Sequence, residues 1–147
     1  MAWDDLKSTG STFTADEYNS MVTYVKSISS DSTGITIDGG GGVITTGIKG
    51  DIYIPYDCTI DSCTLISDSA GSIVIDIWKD TYDNFPPTDI NTIVSTATPT
   101  LDYDDKSQDF TLTGWTTTIT SGDILRYNVD SATTVTRCSL ILGVTKT

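Results

Sequence analysis

The stretch that decides the fold is GWTTTITSGDILRYNVDSATTVTRCSLILGVT, residues 114–145. It predicts three consecutive strands, at 115–119, 124–130 and 134–144, with a turn at Thr120-Ser121-Gly122-Asp123. In the second strand Leu125, Tyr127 and Val129 share one face; Arg126, Asn128 and Asp130 share the other. In the third, Cys138, Leu140, Leu142 and Val144 fall together. Period-two alternation over this length means a sheet with one buried face and one face left to water or a partner.

Outward from this stretch, the same signals place strands at 43–46, 51–54, 58–67, 72–79, 92–95, 100–103 and 108–112. Breaks fall at Pro55, 67–71, 83–87 and 104–106. Within 72–79, Ile73, Ile75 and Ile77 point one way and Val74, Asp76 and Trp78 the other. Roughly eight to ten short strands at close spacing indicate a sandwich or barrel. The expected fold is mainly β: a β-sandwich (jelly-roll-like) domain over 43–147, preceded by one short N-terminal α-helix.

Composition agrees. The chain has 147 residues, the size of one domain with a real core. It contains 27 Thr and 17 Ile, which favour strands, and 19 Asp, which favour turns, against a single Glu. The formal net charge of −12 argues against nucleic acid, which needs a basic footprint, and against an anionic membrane surface. Cys58, Cys63 and Cys138 make neither a disulfide framework nor a zinc spacing, and read as small buried apolar residues. The opening Met1-Ala2-Trp3-Asp4-Asp5 is acidic and no apolar run follows, so neither a leader nor a membrane span is expected.

The N-terminal part divides into three. Residues 1–12 form an arm with Trp3 and Leu6 as apolar anchors. Residues 13–30 form a helix: Thr14 and Glu17 make a capping box, and Phe13 with Tyr18 a hydrophobic staple. Tyr18, Met21, Val22, Val25 and Ile28 then follow as one apolar stripe. That stripe packs either on the β domain or on copies of itself around a symmetry axis. Residues 31–42 read as a Gly-rich linker with a strand fragment at 35–37; Gly39 to Gly42 lack the residues of a phosphate loop.

Little in the sequence points to catalysis. It has no histidine, which removes Ser-His-Asp, Cys-His and His-based metal sets. Paired carboxylates of the glycosidase kind remain formally open, but nothing singles out a pair. Asp80, Asp83 and Asn84, or Asp102, Asp104 and Asp105, offer oxygens of the kind Ca²⁺ takes. Neither group follows the loop pattern of known calcium sites, and turn chemistry is the stronger reading. No cofactor and no metal is expected. Trp78, Trp115, Tyr82, Tyr103 and Phe85 are candidates for a sugar-binding patch, although aromatics in a sheet are more often core.

Three phrases, DIWKDTYDNFPPTDINTI at 76–93, KSQDFTLTGW at 106–115 and SGDILRYNVDSATTVTR at 121–137, resemble a β domain of tailed-bacteriophage structural proteins. The opening GSTFTADEYNSMVTYVKSI at 10–28 is similar to helical segments at the start of phage fibre and tail-tip proteins. The resemblance implies a virion protein, commonly trimeric, attached by its N-terminus and carrying a distal β domain, with no enzyme activity. Its partners would be itself and other capsid or tail proteins. With about 30 residues before the β domain and no shaft, the chain suits a compact head fibre, a capsid decoration or a small tail adaptor. Docking and oligomerisation would fall to Trp3, Leu6, Phe13, Tyr18, Met21, Val22, Val25 and Ile28. A host-surface glycan or protein would meet the loops that carry Asp83, Asn84, Phe85 and Tyr103. The alternatives are a carbohydrate-binding module and, further off, a hydrolase using paired Asp.

Overall fold

The computed structural model describes Thr12 and residues 14–147. Trp3, Leu6 and Phe13 therefore lie outside the described residues, as does nearly all of the arm.

Helix α1 spans Ala15–Ser29 and begins as its sequence dictates. The backbone N–H of Glu17 donates to Thr14 Oγ1 at 3.2 Å, and the backbone N–H of Thr14 donates to Glu17 Oε2 at 2.8 Å. Two orphan donors are thus satisfied reciprocally. Asp16 and Glu17 in the first turn and Lys26 in the last complement the helix dipole. At Ser30 the backbone becomes extended and runs directly into strand β1, Ser30–Asp38. The linker expected over 31–42 is therefore largely strand. Asp31 to Asp38 pair antiparallel with β7 (Arg137–Lys146), and only the glycines that follow make a turn.

The other strands are β2 (Gly47–Tyr53), β3 (Cys58–Thr81), β4 (Thr100–Asp109), β5 (Thr118–Ile119) and β6 (Asp123–Thr133). All ladders are antiparallel, and the sheet order is β1-β7-β3-β6-β2. The 24-residue strand β3 organises the rest. Its first half pairs with β7 and its second half with β6, in nearly continuous register. Along its other edge it pairs with β4 and, at Cys58 and Thr59, with β5. The handover from β7 to β6 curls the sheet. At that corner Asp68 accepts hydrogen bonds from Thr136 Oγ1 and from the Arg137 backbone N–H. Gly71 is required there: a Cβ would lie 2.8 Å from both Thr133 O and Val135 Cγ2. The result is a mainly β protein with one helix, its antiparallel sheet curled into a half-barrel.

The alternation read from the sequence places the core correctly. Ile73, Ile75 and Ile77 are fully buried, as are Leu125, Tyr127 and Val129, with Cys138, Leu140, Leu142 and Val144 beside them. Each such aliphatic side chain contributes about 1.5–3 kcal/mol by leaving water. All three cysteines are free and buried. Burial pushes the Cys63 thiol up to about 12 and that of Cys138 to about 11, so both remain neutral.

Several strand boundaries differ from the sequence reading. The breaks expected at 67–71 and 104–106 lie inside β3 and β4: the ladder to β7 runs up to Ser67, that to β6 begins at Ser72, and the pairing with β4 shifts register between Ile66 and Gly71. Residues 92–95 contribute only an isolated bridge, Thr92 to Trp78. Residues 43–46 are not strand, and β2 starts later and runs through Gly47–Tyr53. Of 115–119 only Thr118–Ile119 is strand; Trp115 instead donates its indole N–H to Ala97 O at 2.9 Å.

Candidate functional site

Two surfaces stand out. The first is α1. No residue of the helix is buried. Tyr18, Val25 and Ile28 are each more than half exposed, and Met21 and Val22 are half-buried. Packing of the stripe on the β domain, the plainer of the two sequence readings, is not what the structure shows. Among the described residues nothing buries this apolar ridge on a well-capped helix: Tyr18, Val25 and Ile28 stand open and Met21 and Val22 are only partly covered. No helix among the described residues is long and apolar enough to cross a membrane.

The second surface lies where β3 ends and β6 begins. Asp80 organises the loop after β3. It accepts from Asn84 Nδ2 at 3.1 Å, from the Thr81 backbone N–H at 2.7 Å and from Asn91 Nδ2 at 3.1 Å. These bonds, led by that from Asn84, hold its carboxyl below the usual carboxylate range. Asn91 Oδ1 in turn accepts from the Thr88 backbone N–H at 2.9 Å. The turn chemistry expected of Asp80 and Asn84 is thus present.

Arg126 fixes the next part of the loop. Its Nε and Nη2 donate to the two oxygens of Asp51 at 2.7 and 3.0 Å, a fork-to-fork pair. Its Nη1 lies 3.4 Å from Pro87 O, and its guanidinium sits 5.0 Å from the centre of the Phe85 ring. Beside it, Trp78 donates to Asp76 at 2.7 Å and Thr92 Oγ1 donates to the other Asp76 oxygen at 2.6 Å.

Between this loop and the turn before β6 runs an open groove of about 380 Å³. Tyr82 and Asp83 form one wall; Ser121 and Gly122 form the other. Lys79, in the groove, is already engaged: it donates to Thr118 O at 2.7 Å and lies 3.3 Å from Asp123. Gly122 has φ +97°, and a Cβ there would come within 3.9 Å of the Tyr53 hydroxyl. Tyr53 therefore stands beside the same turn. Tyr53 and Tyr82 are 55% and 71% exposed, so neither ring serves the core.

The structure brings Asp83, Asn84 and Phe85 to this end of the sheet. Tyr103 is elsewhere. Its backbone N–H donates to Ser72 Oγ at the curl of β3, six residues before Trp78, about 20 Å along a strand. The wider aromatic patch does not assemble either, since Trp115 packs against the core. Sequence reasoning missed Tyr53, Lys79 and Arg126 as members of this surface. Alternation already pointed Arg126 outward; the missing information was that β2, β3 and β6 lie side by side.

No protein-family model matches this sequence, and comparisons with curated proteins and with solved structures found no match.

Proposed function

We propose that this protein is a structural subunit of a tailed-bacteriophage virion: a compact trimeric fibre or capsid-decoration protein that docks through its N-terminal segment and displays the β domain. The observation that carries this reading is the uncovered ridge of α1. Tyr18, Met21, Val22, Val25 and Ile28 form a helical stripe that the described residues bury nowhere and leave open at Tyr18, Val25 and Ile28. An exposed stripe of this kind is stabilised by association with copies of itself. The resemblance of residues 10–28 and 76–137 to phage proteins supplies the virion context and the trimer. The β head is read as a jelly-roll sandwich. Supporting this, β1, β7 and the first half of β3 pair in sequence, as do β2, β6 and its second half. The curl at 67–71 would fold one set over the other.

Sedimentation equilibrium tests the assembly. The chain should sediment as a trimer, and Val22→Asp, which places a charge in the apolar contact, should sediment as a monomer. A wild-type monomer, or an unchanged Val22→Asp trimer, would sink the stem. Electron microscopy of phage particles labelled with an antibody to the β head tests the virion assignment, and particles without label would refute it.

A further inference from the structure

We infer that the groove between Tyr82-Asp83 and Ser121-Gly122 is a binding site for a neutral oligosaccharide. Three observations carry this. First, Tyr53 and Tyr82 flank the same turn with their rings largely exposed. Such rings offer flat faces to the C–H faces of a sugar, and hydroxyls to its polar edge.

Second, the loop that carries Tyr82 is tied down on either side by hydrogen bonds from groups that do not bury the ring. Asp80 binds Asn84, Asn91 and Thr81, and Arg126 binds Asp51 and Pro87. A loop pinned on both sides of an exposed ring has little backbone freedom left to lose when a ligand stacks there, which raises affinity.

Third, the charge of the site selects among sugars. Among the described residues Lys79 and Arg126, the cations beside the groove and its loop, are committed, Lys79 to Asp123 and Thr118, Arg126 to Asp51. Asp83 remains exposed in the groove wall, within a chain of net charge −12. An anionic sugar would meet repulsion with no free counter-charge among the described residues that line the groove, whereas a neutral one would find carboxylate and hydroxyl acceptors for its own hydroxyls.

The test is a chemical-shift titration of the ¹⁵N-labelled full chain with cellohexaose, maltohexaose and chitohexaose, and with 3′-sialyllactose as the anionic comparison. The expected result is saturable shifts at Tyr82, Asp83, Ser121 and Gly122 with at least one neutral probe, and none with sialyllactose. Tyr82→Ala should weaken that binding about tenfold, whereas Tyr103→Ala, an exposed ring far from the groove, should leave it unchanged. No response at these residues to any neutral probe overturns the assignment. So does equal binding of sialyllactose, or an unaffected Tyr82→Ala. Tyr82→Ala should sediment as the wild type does, so failure here is separate from failure of the helical stem.

Discussion

Lys146 Nζ lies 2.9 Å from Asp31 Oδ2 and ties the last strand to the residue just past the helix. The Tyr56 hydroxyl donates to the same oxygen at 3.3 Å, and Lys146 stands 4.6 Å over the Tyr56 ring. The hydrogen bond from Lys146, then that from the Ser32 N–H, holds the Asp31 carboxyl below its ordinary value of 3.8. A depressed carboxylate pKa contributes stability that is complete above the unfolded value and lost as pH falls through the folded one. Asp68 and Asp80 are depressed too and add loss in the same direction. Lys146, raised above 10.5, contributes in the opposite window: its share is present below that value and fades as pH rises past it. Asp31→Asn should therefore lower the urea midpoint near pH 6, with the difference from wild type closing toward about pH 3. The pair is exposed, so high salt should narrow the gap. An equal gap at both pH values would count against the ion pair as its origin.

Tyr127 is fully buried, yet its hydroxyl has no hydrogen-bond partner among the described residues. Burial raises the phenol pKa, so the group stays a neutral O–H in apolar surroundings. Removing it should relieve a desolvation cost without opening a large cavity. Tyr127→Phe is expected to raise stability by about 1 kcal/mol, read from the denaturant midpoint. A lower midpoint would mean that the hydroxyl is bonded.

What the sequence revealed was local. Thr14 and Glu17 could be read as a capping box because both halves of that interaction lie within one turn. Leu125, Tyr127 and Val129 could be read as core because β6 has one buried face, and the same holds for Cys138, Leu140, Leu142 and Val144. Ser67 to Gly71 has the composition of a loop, and it lies in β3 because ladders to β7 and β6 grip the strand on either side of it. Asp31 to Asp38 is polar because β1 is an edge strand, with only Ile37 fully buried. The groove was least accessible. Tyr53, Tyr82 and Gly122 come from three separate segments, and no local pattern states that β2, β3 and β6 end together. Asp83, Asn84 and Phe85 could be placed in a loop because the prolines beside them mark one; Tyr103 shares that loop-like setting in sequence but lies at the curl.

Gly71 tests that curl. A methyl group there would press on the Thr133 carbonyl and on Val135, and the backbone contact cannot swing away. Gly71→Ala should cost about 1–3 kcal/mol. Gly42→Ala makes the control, since a Cβ there meets nothing within 4 Å. Its effect should stay within about 0.5 kcal/mol of zero. Equal midpoints for the two variants would show that β3 bends without needing Gly71.

Hydrogen exchange separates the stem from the head. A 15-residue helix is marginal alone, and α1 has no buried residue to hold it. In the proposed assembly its amides should be protected. In Val22→Asp they should exchange rapidly while β3 and β6 keep their protection. Slow exchange in α1 of the variant would mean that the helix stands without a partner.

Arg126 and Asp51 are 11% and 31% exposed at the side chain, between a surface pair and a buried one. A lysine at 126 keeps the charge but loses the fork to Asp51, and with it the planar group that lies over Phe85. Arg126→Lys should therefore cost about 1 kcal/mol in stability, more than an exposed ion pair and less than a buried one. The loss should be local: amide resonances of 84–88 should broaden or exchange faster, while those of β7, which pairs with β1 and the first half of β3, stay as they are. Uniform weakening across both halves of β3 would show that Arg126 supports the whole sheet rather than this loop.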